Sequence, residues 1–337
     1  MIPHPRVIAR YPAERRPIRP ALSLGNAGGG SGALLWRFES MSGELVLRAW
    51  PPEGPSRNDI VRIHGWLGRL ADLSFVPVPL RTTSGETLIE SGGLLWELAP
   101  WIDGEPVVEH SLDAALLRPA LSALAAVHDR LAPLGAPGPS PGLSERALEV
   151  DAWLDAGLAK LRDRVAGRLE DPYHQAAVRW MTLAGVGLVR LRPRLGTHAT
   201  TMGFVQPVLR DARAEHFLFE RRTRRVVGLV DYGAMGWDDP ATDLARLLID
   251  WAGPDSASWS AASEAYREAR SPGGSPTRLD RVEAFAESAA WLGPGRWLRW
   301  HYLQNRVFTD PSAVRNGLSR TLTRLEERLG LSPTFKP

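Results

Sequence analysis

The sequence predicts an α+β protein in which a small antiparallel sheet with one helix precedes a longer, mainly helical region. Three observations carry this. Across the first hundred residues, apolar side chains alternate in short runs closed by glycine-containing turns. From Asp113 onward the apolar period lengthens to that of helices. A glycine-rich run, Gly28 to Gly32, leads directly into the first clear strand.

Residues 1–20 are rich in proline and arginine and read as an irregular lead-in. "GNAGGGSGALLWRF" then passes from the glycine run into a strand carrying Leu35, Trp36 and Phe38. A turn at "MSGE" joins it to a second strand, Leu45 to Trp50, which Pro51-Pro52 ends. Ile60, Ile63, Leu67 and Leu70 follow at helical spacing, with Asn58 or Asp59 as the expected N-cap. "PVPLRTTSGETLIESGGLLWELAPW" reads as two more strands, joined at Ser84-Gly85. In the helical region, Pro119 marks a break or a helix start. Two short strands, "HFLFE" and "VVGLVDYG", interrupt the helices. The predicted organisation is a lead-in over 1–20, an N-terminal sheet lobe over 21–99 and a helical lobe over 100–337.

Composition narrows the function classes. The chain has 337 residues, 44% hydrophobic, which is ample for one or two cores. Its apolar runs are short and broken by charge, well below the roughly 20 residues of a membrane span, and no apolar segment follows the arginines near the start. A cytoplasmic protein is expected. With no cysteine, thiolate metal sites and cysteine nucleophiles are excluded. The net charge is +3, and only Lys160 and Lys336 are lysines. The densest basic cluster, "ERRTRRVV", fits a hairpin tip, and no zinc-finger spacing or basic helical stripe accompanies it, so no nucleic-acid partner is expected.

The chemistry concentrates in "VLRDARAEHFLFE" and in the "DYG" twenty residues later. Asp211 precedes a short loop, His216 lies five places on, and Asp231 ends the following strand. A hairpin between them would return Asp231 beside the start of the first strand. Two carboxylates and an imidazole on one edge of a cleft are what phosphoryl transfer needs, one group orienting the acceptor and others holding a metal on the phosphates.

In this order and spacing, "LRDARAEHFLF", "GLVDYGAMGWDDP" and "ATDLARLLIDW" resemble the aminoglycoside phosphotransferase and choline kinase-like superfamily, a small-molecule branch of the protein kinase-like fold. The resemblance implies a bilobal kinase-like architecture over roughly residues 24–330. It makes Asp211 the catalytic aspartate, Asp231 and His216 the metal ligands, and Arg210 and Asp243 supports of the catalytic loop. It also makes Gly28, Gly29, Gly30, Ser31 and Gly32 the phosphate-covering loop, and Arg48 the strand cation that grips phosphate. Glu97, Leu98 and Ala99 become the hinge that reads adenine through its backbone. The implied cofactors are ATP and a divalent metal, Mg²⁺ or Mn²⁺, with a small-molecule acceptor as partner.

The chain departs from the family pattern at four places. Leu209 replaces the loop histidine, Arg48 a lysine and His216 an asparagine. An imidazole nitrogen is a poorer donor to Mg²⁺ than oxygen and favours a softer ion such as Mn²⁺. The helix acid that would pair with the strand cation is also missing; of the two acids near that helix, Asp59 and Asp72, neither lies at mid-helix. An impaired, pseudokinase-like nucleotide or ligand binder is therefore the alternative function.

Overall fold

A computed structural model describes residues 4–26, 32–107, 114–251, 256–271, 277–308 and 312–335. The chain forms two compact units: Met1–Leu134 with Leu209–Gly236 and Ala265–Gly274, and Gly135–Val208 with Trp237–Glu264 and Ser275–Pro337. The α+β class read from the sequence holds, with the antiparallel sheet N-terminal and most helices after it.

The first unit opens with a short helix, α1 (Pro5–Ile8), so the lead-in is not irregular throughout. Val7, Ile8 and Tyr11 repeat at helical spacing and are buried against Phe38, Leu47, Trp96 and Leu98. Burial of three apolar side chains outweighs the local preference of the surrounding prolines and arginines for extended chain. A five-stranded antiparallel sheet follows, in the order β1 (Leu22–Gly25), β2 (Leu34–Ser40), β3 (Gly43–Trp50), β5 (Leu94–Pro100), β4 (Ile89–Ser91). Strand β1 pairs antiparallel with β2. Of the predicted phosphate loop, Gly28, Gly29, Gly30 and Ser31 lie outside the described residues. Gly32 has φ +71°, a conformation that favours glycine.

The second hairpin turns at Gly92-Gly93 and not at Ser84-Gly85. Both glycines have positive φ, +62° and +74°, which a two-residue hairpin turn requires. A Cβ at Gly93 would meet nothing within 4 Å, so the cost of substitution there is backbone strain alone. Gly93→Ala is expected to lower stability by about 1 kcal/mol in urea unfolding, and Gly93→Asn by less, because asparagine tolerates the left-handed region. Equal stability of all three would refute this turn.

Helix α2 (Arg57–Gly68) starts two or three residues earlier than expected, because Ser56 is the N-cap: its Oγ accepts from the Asp59 N–H at 3.2 Å. Ile60, Ile63, His64 and Leu67 form its buried face. Helix α3 (Ala114–Leu131) runs through Pro119 without a break. Proline in the second turn removes only one intrahelical donor, and the apolar face beyond it continues unchanged. Strand β6 (Glu105–Pro106) joins β9 (Phe217–Phe219) and β10 (Val226–Leu229) in a small sheet. The arginine-rich "ERRTRRVV" is the β9–β10 turn, with Arg221 paired to Glu105 at 2.7 Å.

The second unit is mainly helical. Strands β7 (Ala136–Gly138), β8 (Gly203–Val208) and β11 (Gly236–Asp238) make its sheet. Helices α4 (Pro141–Ala152) and α5 (Leu158–Ala166) are joined by a π-helical turn, and α6 (His174–Thr200) follows. Helices α7 (Ala241–Trp251), α8 (Ser256–Ala269), α9 (Leu279–Leu298) and α10 (Ala313–Arg328) complete the chain. Among the described residues, no helix is long and apolar enough to cross a membrane.

Candidate active site

The loop after β8 carries Arg210 with φ +63°, and the chain after β10 carries Asp231 with φ +64°. Positive φ is uncommon outside glycine and concentrates where surrounding structure imposes it, often at functional sites. Each strained residue sits beside a glycine that admits a side chain. A Cβ at Gly236 would meet the Arg210 side chain at 2.9 Å, and one at Gly233 would meet the Trp50 ring at 2.8 Å. The end of β3 therefore rests on the turn that follows Asp231. Tyr232, in that turn, is buried, and burial pushes its phenol well above the ordinary value, so it packs as a neutral ring.

The β9–β10 hairpin sets the geometry. Leu229 pairs with Phe217, and the Val230 N–H donates to the His216 carbonyl at 3.0 Å, which brings Asp231 alongside His216. The His216 ring is buried and engages both aspartates. Its Nδ1 lies 2.9 Å from the Asp211 backbone carbonyl, and its Nε2 lies 3.6 Å from Asp231 Oδ2. A carbonyl only accepts, so Nδ1 carries the hydrogen, and in the neutral ring Nε2 presents its lone pair toward Asp231.

Two acceptors facing each other need a cation or a proton between them. Donors held at ~2.1 Å by one cation stand roughly 3.0–3.6 Å apart, and a ligating histidine commonly donates its other N–H to a carbonyl. The donor pair therefore fits a divalent ion. No group of three or more His, Asp or Glu side chains among the described residues is arranged to hold a metal, so Asp231 and His216 would leave the other positions to phosphate oxygens and water. The Asp231 side chain is half exposed and open to such ligands.

Arg48 lies on β3 directly opposite Glu97 on β5, with Nη1 3.3 Å from Glu97 Oε1. Its guanidinium also sits 4.9 Å from the centre of the Trp50 ring. Glu97 is buried, and its other oxygen is 2.8 Å from His64 Nε2; His64 Nδ1 is 2.8 Å from Thr87 Oγ1. Burial pushes the Glu97 carboxyl up, but the His64 hydrogen bond and the Arg48 charge outweigh it and hold the group below its ordinary value.

The three residues expected as the hinge, Glu97, Leu98 and Ala99, lie in β5. The Glu97 side chain is committed as above. The Leu98 carbonyl accepts from the Leu80 N–H at 2.7 Å, and Ala99 pairs with Val46 in the β3–β5 register. The Trp101 N–H is bound to the Glu44 carbonyl. Ile102 is the next residue, and its side chain covers Gly228, where a Cβ would meet it at 2.8 Å.

Asp243 is fully buried in the first turn of α7, in the other compact unit. His64, Thr87 and Trp50 escaped the sequence reading. A histidine on the apolar face of α2, in register with Ile60, Ile63 and Leu67, was the available signal, since a buried imidazole requires a polar partner.

Residues 25–280 match the family model described as the phosphotransferase enzyme family. Among curated proteins, none matches the chain by sequence. Of the solved structures, an aminoglycoside phosphotransferase from Alicyclobacillus acidocaldarius is 15% identical with a TM-score of 0.59, covering 98% of this chain and 94% of that one. Amicoumacin kinase hAmiN, in complex with AMP-PNP, Ca²⁺ and Ami, is 14% identical with a TM-score of 0.61, covering 98% and 97%. Spectinomycin phosphotransferase, in complex with ADP and spectinomycin, is 12% identical with a TM-score of 0.53, covering 95% and 90%. These structures share the fold, and with well over half its length matched the chain belongs to the phosphotransferase enzyme family.

Proposed function

We propose that the protein transfers the γ-phosphate of ATP to a hydroxyl of a small molecule. The observation that carries this is the His216 ring, which touches the Asp211 backbone on one side and faces the Asp231 carboxylate on the other. Asp211 takes the proton of the acceptor hydroxyl as its oxygen bonds to the γ-phosphorus and the bond to the bridging oxygen breaks, releasing ADP. Asp231 and His216 would hold a divalent ion, which would supply neutralisation of charge on the phosphates. Arg48, steadied by Glu97 and Trp50, grips the phosphates bidentately. Adenine is read by backbone groups toward the end of β5, where Glu97, Leu98 and Ala99 lie.

ATP with Mn²⁺ or Mg²⁺ is expected to raise the melting temperature, and ATP with chelator to do so much less. A protein indifferent to nucleotide under every condition would overturn the proposal. The His216→Asn variant is expected to shift the metal preference of nucleotide binding several-fold toward Mg²⁺, because an amide oxygen replaces an imidazole nitrogen. An unchanged Mn²⁺ to Mg²⁺ ratio would remove His216 from the metal site. A second reading, a nucleotide binder without turnover, draws on Arg48 and His216 standing where the family has lysine and asparagine. Metal-dependent binding with no phosphoryl transfer to water or to any hydroxyl acceptor would favour it.

A further inference from the structure

The resemblance leads one to expect an acid on α2 to orient the strand cation, and α2 has none in place. Asp59, in the first turn, is taken by Ser56 at 2.6 Å and Arg62 at 2.5 Å. Asp72, beyond the helix, pairs with Arg130 at 2.8 Å. The acid comes from the sheet instead. Glu97 is the direct cross-strand partner of Arg48, so the separation of the two side chains is set by the β3–β5 register and not by where a helix lies.

From these contacts we infer that Glu97 is the positioning residue for Arg48, with His64 and Thr87 as the clamp that holds Glu97; this rests on the reading of Arg48 as a phosphate-binding cation. A buried carboxylate persists only when its charge and lone pairs are met. Here one oxygen faces Arg48 and the other accepts from His64 Nε2, whose ring is fixed in turn by Thr87 Oγ1. Arg48 is held along one edge by Glu97 and across its face by Trp50, and its side chain keeps about a quarter of its surface exposed (24%). The N–H groups not spent on Glu97 therefore have a defined outward direction. A planar guanidinium fixed at an edge and a face presents a bidentate fork, whereas a free one would sample many rotamers.

The roles of sheet and helix are thereby exchanged. The helix contributes a histidine and the sheet contributes the acid. Displacement of α2 would withdraw His64 from Glu97 but leave the cross-strand pair in register.

The test is a comparison of two ligands, AMP-PNP with Mn²⁺ and adenosine, titrated calorimetrically into wild type, Arg48→Met, Glu97→Gln and Glu97→Asp. Adenosine lacks the phosphates, so a residue that acts only by orienting Arg48 leaves its affinity unchanged. Glu97→Gln is expected to weaken AMP-PNP about tenfold, equivalent to about 1.4 kcal/mol, with adenosine within about twofold of wild type. Glu97→Asp keeps the charge but draws it back by one methylene, and is expected to show a smaller loss of the same kind. It stands in for the glutamine variant if that one does not fold. Unchanged AMP-PNP affinity in the folded variants, or equal weakening of both ligands, overturns the inference. If Arg48→Met loses AMP-PNP affinity while the Glu97 variants do not, only the positioning role falls. If wild type and Arg48→Met bind AMP-PNP no better than adenosine, the phosphate-binding role of Arg48 falls with it.

Discussion

Asp231→Asn is expected to abolish the metal-dependent part of nucleotide binding. With ATP at about 100 times its Kd, ligand linkage raises wild-type stability by about 2.7 kcal/mol, or roughly 5 °C in a chain of this size. Most of that shift is expected to vanish in the variant, whether Mg²⁺ or Mn²⁺ is supplied. Asparagine is the informative substitution because Asp231 has φ +64°, which asparagine tolerates and alanine does not. The turn at Gly233 and its contact with Trp50 are then preserved, while the charge facing His216 Nε2 is lost. Differential scanning fluorimetry with and without chelator reads the result. Full metal dependence in a folded Asp231→Asn protein would move the ion elsewhere.

Asp211→Asn is expected to lower the rate of phosphoryl transfer by about 10²- to 10⁴-fold, the range for loss of a general base, with nucleotide binding near wild type. The separation of effects follows from geometry. The Asp211 backbone carbonyl receives His216 Nδ1 and the Arg213 N–H at 2.9 Å each, and both bonds are open to asparagine as well. ATP turnover with water as acceptor provides an assay that does not need the natural substrate. A variant that turns over ATP as fast as wild type would remove Asp211 from the chemistry, and one that loses nucleotide binding would make it a ligand of the nucleotide or metal.

Much of this site is legible in the one-dimensional pattern because its geometry is local. From Asp211 to Asp231 the chain is one loop and one hairpin, and alternation within short strands fixes which residues return beside which. The apolar face of α2 and the Met41-Ser42 turn are legible for the same reason, since each is decided by backbone freedom or by a period of a few residues. The surroundings of Glu97 to Ala99 and the partner of Arg48 are decided by strand pairing across some fifty residues. In the sequence, "WELAP" offers Glu97 as an exposed loop residue as readily as a buried one. The Ser84-Gly85 and Gly92-Gly93 pairs compete on equal terms as turns. Burial of Thr82 and Leu88 and the bond from Leu80 to the Leu98 carbonyl settle the strand limits.

By itself the sequence determined the α+β class, through composition and period, and the order of the groups Arg48, Asp211, His216 and Asp231, whose motifs carry the resemblance to the family. Only the tertiary structure decided that the lead-in folds onto the sheet, that Glu97 is an interior acid, and that His64 reaches it from α2. The physical reason is one of range. Desolvation makes a buried charge seek its partner wherever the chain happens to bring one, and a pairing of that kind leaves no periodic trace.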